Sequence, residues 1–214
     1  FFKPGMEMSG ERGHVLQHDL DAALRNDEFE LFYQPIFSVA QPQPVGFEAL
    51  LRWKHPKLGW VSPADFIPVA EKTGQIIAIG DWVMKMACAD IANLPANTFV
   101  AVNVSSVQLK QRNFADKVKA ALSTYRVPAH RLELELTESA QISSLECKEM
   151  LEELRDLGIG IALDDFGTGY SGLSYLLNLP ITKIKIDRSF VMHVEDRADS
   201  RAVVTNLLQL AKSL

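Results

Sequence analysis

Two adjacent carboxylates, Asp164-Asp165, close the short apolar run Ile161-Ala162-Leu163 and precede a glycine-rich segment, Gly167-Thr168-Gly169-Tyr170-Ser171-Gly172. Neighbouring carboxylates repel each other and are costly to strip of water, so such a pair calls for a cation or strong donors. The next apolar run, Ile181 to Ile186, interleaves Lys183 and Lys185 and ends at Asp187. Strand, acidic pair, glycine loop, helix from Leu173 and strand together suit a metal site that handles phosphate. Two other readings use the same residues. Gly167, Gly169 and Gly172 satisfy G-x-G-x-x-G between a strand and a helix, with Asp187 near the acidic position of a dinucleotide-binding fold. Against this, Asp164 and Asp165 would stand where a pyrophosphate must approach. Alternatively, the glycines merely permit a turn at a solvated, acidic strand end.

The elements that must position these residues alternate. Helical spacing over His14 to Arg25 is followed by strands at Phe29 to Val39 and Val45 to Trp53. Pro35 inside the first strand predicts an edge position or a bulge, and the short Gln41-Pro42-Gln43-Pro44 connection predicts an antiparallel hairpin. A loop, Lys54 to Gly59, leads to helices over Pro63 to Glu71 and Ile76 to Asn93. Then come strand Phe99 to Val104, helix Phe114 to Tyr125, strand Leu132 to Leu136, and helix Ser144 to Leu157 closed by Gly158. A last helix runs from Asp199 to Leu214. The alternation predicts a parallel α/β fold, and strictly alternating strands such as Leu132-Glu133-Leu134-Glu135-Leu136 favour a barrel wall over a sheet buried on both faces.

Strand residues two apart share a face, which sorts the polar groups. Glu48 and Arg52 lie opposite Phe47, Ala49, Leu51 and Trp53. Asn103 opposes Val100, Val102 and Val104, and Glu135 shares its side with Glu133 and Thr137. Lys185 and Asp187 oppose Ile184 and Ile186. At the C-terminal rim of a barrel, Glu48, Asn103, Glu135, Asp164, Asp165 and Lys185 would converge. Oxygen donors without histidine suit Mg²⁺ or Mn²⁺ better than zinc. The five histidines show no ligand spacing and fall in loops or outer helices. Glu133, Glu138, Arg52 and Asp187 each have an ordinary alternative as ion-pair partners, and for Glu133 that alternative is preferred.

Composition narrows the class. The chain has 214 residues, of which 47% are apolar and 23% charged, with a net charge of −5. That balance fits one globular domain and disfavours a protein that coats DNA or RNA. Cys88 and Cys147 form neither a disulfide framework nor a zinc spacing, which suits a reducing compartment. No run is long and apolar enough for a membrane span and no leader pattern opens the chain, so a cytoplasmic location is expected, within a larger protein.

With these residues in hand, the chain resembles the EAL domains, bacterial cyclic-di-GMP phosphodiesterases. The resemblance rests on Phe47-Glu48-Ala49-Leu50-Leu51-Arg52-Trp53, Tyr33-Gln34-Pro35-Ile36, Asn103-Val104-Ser105, Glu133 to Ser139, Asp164 to Ser171 and Lys185-Ile186-Asp187-Arg188-Ser189-Phe190. It covers nearly the whole chain. It implies a modified TIM-type (β/α)₈ barrel whose first strand is antiparallel. It also implies that Glu48, Asn103, Glu135 and Asp164 hold one metal, and that Asp164 and Asp165 hold a second. Lys185 would contact the phosphate and the attacking water, so Lys185, Asp165 and Glu48 are the catalytic candidates. Gln34, Arg52 and Asp187 are implied substrate contacts. Glu138 is the implied anchor of the Asp165-to-Gly172 loop, and the 165–178 region borders an expected homodimer interface. The implied reaction cleaves one phosphodiester of cyclic-di-GMP, giving linear pGpG. The implied division is a linker over residues 1–13, from a preceding GGDEF-type domain, and a barrel over 14–214. In the family, a further strand with a catalytic Glu and a Gln-Gly segment follow; neither is in this sequence, so the last strands of the barrel are expected to be absent from it. That departure keeps a second reading open, a catalytically silent cyclic-di-GMP-binding module.

Overall fold

A computed structural model describes residues 15–137, 144–167 and 179–213. Helix α1 (15–23) turns Leu16, Leu20 and Ala23 into the core, each no more than 2% exposed, as the i, i+4, i+7 spacing predicts. Strands β1 (Phe29–Phe37) and β2 (Pro44–His55) form the expected antiparallel hairpin, in a register that sets Gln34 opposite Glu48. Pro35 lies in β1, which ends the sheet among the described residues, and a register irregularity follows at Ile36/Phe37. A strand edge tolerates the missing N–H of proline.

The expected 54–59 loop is shorter than the sequence suggests. β2 continues to His55, and a third strand, β3 (Gly59–Val61), folds back on it. His55 makes this turn possible. Its ring is buried, and Nδ1 accepts the backbone N–H groups of Lys57 and Leu58. Two donors on Nδ1 leave the proton on Nε2, which faces Asp19 of α1 at 3.0 Å. Gly59 supplies the left-handed φ of 68° that closes the turn. His55 is thus a structural strand-end residue and not the loop histidine that the sequence suggested.

Helices α2 (Pro63–Thr73) and α3 (Ile76–Ile91) follow, with Pro63 at the first helical position and Gly74 as a left-handed C-cap. Next come β4 (Phe99–Val104), a short α4 (Ser106–Leu109) opened by a Ser105/Gln108 capping box, and α5 (Phe114–Tyr125). β5 (Leu132–Thr137), α6 (Leu145–Asp156), β6 (Gly160–Phe166) and β7 (Lys183–Ile186) complete the sheet, followed by helices Arg188–Val191 and Ala198–Ser213. The order is β1-β2-β4-β5-β6-β7, with β3 on β2. From β2 onward along this path the pairings are parallel, and β1 alone runs the other way on it. Glu138, residues 168–178 and the linker assigned to 1–13 lie outside the described residues. Among the described residues no helix is long and apolar enough to cross a membrane.

One strand face packs against helices. Val100, Val102, Leu132, Leu134, Leu136 and Ile161 are 0–1% exposed there, and Phe29, Trp53 and Phe66 meet as a ring cluster with centroids 5.4–6.0 Å apart. Tyr33, on the same face of β1, donates its hydroxyl to Asp90 of α3 at 2.5 Å. Burial first, and then the neighbouring carboxylate, push its phenol far above the ordinary range. Tyr33→Phe keeps the ring and removes that bond. The expected loss is about 1–2 kcal/mol, read as a lowered urea midpoint at unchanged slope.

Candidate active site

The opposite strand face is polar, and parallel register stacks its groups in layers. In the lower layer Lys183 meets Glu133 at 2.6 Å, and its ammonium lies 4.3 Å from the Phe99 ring centroid. This ion pair is the ordinary role preferred for Glu133 from the sequence. Gly46 sits across from Phe99, and a Cβ there would come within 2.6 Å of the ring, so only glycine lets the ring lie over β2.

One step up, β5 and β7 present Glu135 and Lys185. Lys185 Nζ stands 2.7 Å from Glu135 Oε2, 3.0 Å from Asp164 Oδ2 and 3.3 Å from Glu48 Oε2. Glu48, Glu135 and Asp164 offer oxygens that all lie within 4.8 Å of one another. Asn103 joins them by donating Nδ2 to Glu48 Oε1 at 2.9 Å. Five strands therefore deliver the carboxylates, the amide and the ammonium: Glu48 from β2, Asn103 from β4, Glu135 from β5, Asp164 from β6 and Lys185 from β7.

Their electrostatics are unbalanced. Glu135 is 1% exposed, and neither of its carboxylate oxygens has a well-aligned hydrogen bond among the described residues, although Lys185 is close. Burial pushes Glu135 up to about 7; Lys185 counters this, and Glu48 and Asp164 add to it. Burial works against the charge on Lys185, but its ion pairs with Glu135 and Asp164 outweigh that and raise its pKa. Both pKa values rise, which favours the charge on Lys185 and disfavours it on Glu135, because one ammonium is shared by three carboxylates: Lys185 gains from its ion pairs, while Glu135 loses more to burial than its share returns. Three carboxylates around one ammonium leave an excess of negative charge that a further cation would relieve. Oxygen-only donors, close together and partly dehydrated, fit a hard divalent cation such as Mg²⁺ or Mn²⁺.

Asp165 is placed differently from its neighbour. Strand β6 loses register with β7 between Leu163 and Phe166, and Asp165 adopts a left-handed φ of 53°, with Gly167 at 104°. Adjacent residues of a regular strand face opposite sides; an irregularity with a left-handed residue re-aims the chain. Asp165 stays coupled to the site. Burial, then Asp164 and Asp187, raise its pKa, and Lys185 opposes them. It lies outside the tight group of three, which makes Asp164 the inner and Asp165 the outer carboxylate.

The other expected residues sit around this centre. Gln34 is exposed on β1, in register with Glu48. Arg52 donates Nη1 to the Leu51 carbonyl at 2.9 Å and lies over the Phe32 ring. Asp187 caps helix Arg188–Val191, accepting from the Ser189 N–H and hydroxyl, and these bonds hold its carboxyl below the usual range. A groove of about 390 Å³ opens beside the cluster, lined by Leu50, Arg52, Glu71, Asn103 and Ser105 among others. The Ser105 hydroxyl donates to Glu71 Oε1 at 2.6 Å; this contact was not expected from the sequence, since the two residues are 34 apart and no local pattern links them. A smaller cleft of about 250 Å³ between α3 and α5 lies away from the carboxylates, and its Asp81 and Lys117 pair with each other at 2.6 Å.

Comparison with known proteins places this geometry. Residues 17–214 match the EAL domain family. The bifunctional diguanylate cyclase/cyclic di-GMP phosphodiesterase MucR of Pseudomonas aeruginosa is 38% identical over 219 residues, covering 100% of this chain and 32% of that protein. The cyclic di-GMP phosphodiesterase PA2567 of the same organism is 38% identical over 218 residues, covering 100% of this chain and 37% of that protein. A solved structure of the PaMucR phosphodiesterase in complex with c-di-GMP superposes with a TM-score of 0.86 at 39% identity, covering 93% of this chain and 83% of that one. The chain spans about a quarter to a little over a third of the length of the curated relatives it matches. The fold is accordingly the TIM-like barrel type with an antiparallel first strand, and the dinucleotide-fingerprint reading of Gly167, Gly169 and Gly172 falls. The chain belongs to the EAL domain family.

Proposed function

We propose that this domain hydrolyses one phosphodiester of cyclic-di-GMP, releasing linear pGpG, with two divalent cations, Mg²⁺ or Mn²⁺. The observation that carries the reading is the group of three carboxylates, Glu48, Glu135 and Asp164, crowded around Lys185 with an excess of negative charge. Its relatives named as cyclic di-GMP phosphodiesterases, and the c-di-GMP complex of PaMucR, supply the substrate class. Every acidic, amide and cationic candidate assigned within this chain stands in or beside the cluster, which favours the enzyme over a silent cyclic-di-GMP-binding module.

Glu48, Asn103, Glu135 and Asp164 would hold the first cation, and Asp164 with Asp165 the second. When bound, such cations activate water and neutralise charge on a transferring phosphoryl group. The chain's own groups do the rest. Lys185 is held protonated at the centre of the cluster, placed to neutralise charge that develops on phosphate oxygens. Glu135 carries a proton more readily than an ordinary carboxyl, so loading a cation releases it. Asn103, through its bond to Glu48, fixes which carboxylate oxygen stays available. Gln34, Arg52 and Asp187 would orient the substrate from the rim, with the groove beside Asn103 and Ser105 receiving a base. We further propose a homodimer through the 165–178 region with Glu138 as its loop anchor, a preceding GGDEF-type domain joined by the 1–13 linker, and a cytoplasmic setting.

The direct test is incubation with cyclic-di-GMP and Mg²⁺ or Mn²⁺, with nucleotide products separated by chromatography. Appearance of pGpG supports the reading; binding without turnover supports the silent module instead. A second expected outcome concerns pH. The native pKa of Glu135 is raised to about 7 from 4.5, so its proton stabilises the metal-free fold below pH 4.5 and that contribution fades as pH rises through 7. Cation binding competes with that proton. Mn²⁺ affinity should therefore rise by up to about tenfold per pH unit below 7 and level off above it, measured by calorimetry in buffers of different ionisation enthalpy. A flat profile between pH 5.5 and 7.5 would count against Glu135 as a ligand.

A further inference from the structure

The face of β2 that carries Glu48 continues outward as Leu50, Arg52 and Lys54. In the antiparallel pairings, Phe32 lies opposite Leu50 and Trp60 opposite Lys54, so both rings share that face. The rings meet edge to face with centroids 5.6 Å apart. The Arg52 guanidinium lies 5.6 Å from the Phe32 centroid, and the Lys54 ammonium 5.9 Å from that of Trp60. Phe32 is 47% and Trp60 54% exposed. Phe29 and Trp53, on the other face of the same strands, are by contrast buried at 4% and 0% and build the core. The exposed pair is thus extra to the packing. Half-exposed aromatic rings flanked by two cations suit a flat, electron-rich, anionic ligand, because nucleobases stack on aromatic side chains and guanidinium planes while phosphates take the positive charge.

We propose that Phe32 and Trp60 form a stacking platform for one purine of the cyclic dinucleotide, with Arg52 and Lys54 facing its phosphate. The proposal rests on the phosphodiesterase reading above and adds a specificity-determining subsite to it. Leu50, beside Phe32, is two residues or about 7 Å of strand from Glu48, and Lys54, beside Trp60, is about 20 Å along it. The platform therefore begins at the acidic cluster and extends away from it, matching a ligand with two bases whose reacting phosphate sits at one end. A base held there adds binding without touching the bond that breaks, so its loss is read in KM more than in kcat.

The test uses Trp60→Ala and Phe32→Ala, with Trp60→Phe as the conservative partner, in the full chain. Each alanine variant should raise KM for cyclic-di-GMP about tenfold while lowering kcat by less than twofold, and Trp60→Phe should recover most of the affinity. The selectivity for cyclic-di-GMP over bis(p-nitrophenyl) phosphate, a diester without a purine, should fall by the same factor. Equal loss on both substrates, or unchanged KM, would overturn the platform. A fluorescence titration with cyclic-di-GMP in EDTA separates this failure from failure of the enzyme reading. Quenching that disappears in Trp60→Phe supports the platform even without turnover, and pGpG formation with no Trp60-dependent quenching rejects the platform while leaving the enzyme reading standing.

Discussion

Glu48→Ala is expected to abolish cyclic-di-GMP turnover, by roughly 1000-fold or more, because even partners outside the ligand shell of a metal typically cost 10- to 100-fold. Glu48 is the meeting point of two devices. Its Oε2 shares the Lys185 ammonium at 3.3 Å, and its Oε1 accepts from Asn103 at 2.9 Å. Alanine removes a candidate ligand and also releases Asn103, which then has no carboxylate to orient it. The fold should survive, since Glu48 lies on the polar face and its neighbour Ala49 holds the core contact at 3% exposure. The measurement is initial-rate formation of pGpG at saturating Mn²⁺, with circular dichroism to confirm folding. Activity within tenfold of the parent chain would remove Glu48 from the ligand set. Asp165→Asn should be milder in metal affinity than Asp164→Asn, since Asp165 stands outside the group whose oxygens fall within 4.8 Å.

Lys185→Met should produce the second large effect, and it should split by condition. Without a divalent cation, the substitution strips three carboxylates of their shared ammonium and leaves Glu135 buried with no counter-charge. Breaking such a pair costs about 2–4 kcal/mol here, toward the low side of fully buried pairs because the Lys185 side chain keeps 26% exposure. With Mn²⁺ in large excess, binding to the native state should return much of that loss, since a ligand at 100 times its Kd contributes about 2.7 kcal/mol. The activity should not return with it: loss of the ammonium proposed to face the phosphate is expected to lower kcat by about 100- to 1000-fold, as for other groups that stabilise developing charge. Thermal unfolding with and without Mn²⁺, beside pGpG formation, reads both arms. A variant that regains stability and turnover together would show that Lys185 only fills an empty cation site.

The contrast between these two variants shows what kind of information each level of structure holds. Strand period alone put Glu48 and Arg52 on one side of β2, Glu133 with Glu135 on β5, and Lys185 opposite Ile184 and Ile186 on β7, because side chains alternate at every residue of a strand. The same period sent Val100, Val102, Leu132, Leu134 and Leu136 to the helix-packing face, where they are 0–1% exposed. Proline placement read out the edge strand, glycine the helix end at Gly158, and the short 41–44 connection the antiparallel hairpin. These are local properties, fixed by dihedral preferences and by the alternation of apolar with polar residues.

What local rules could not supply were contacts between residues far apart in the chain. β3 escaped notice because three residues carry too little pattern, and the strand exists through His55, whose buried ring caps the turn while facing Asp19, 36 residues away. The pairing of Lys183 with Glu133, the meeting of Phe32 with Trp60, and the bond from Ser105 to Glu71 all depend on parallel or antiparallel register between strands and loops that the sequence does not align.

The acidic pair shows both levels at once. The sequence by itself determined that Asp164 and Asp165 fall near a strand end, that their charges call for a cation or strong donors, and that Glu48, Asn103, Glu135 and Lys185 share the side on which either could be met. The resemblance already implied unequal roles for the two aspartates; only the tertiary structure decided where each carboxylate stands. The register break in β6 and the left-handed turn at Asp165 place Asp164 against Lys185 and leave Asp165 farther out, because a regular strand would have sent the adjacent carboxylates to opposite faces.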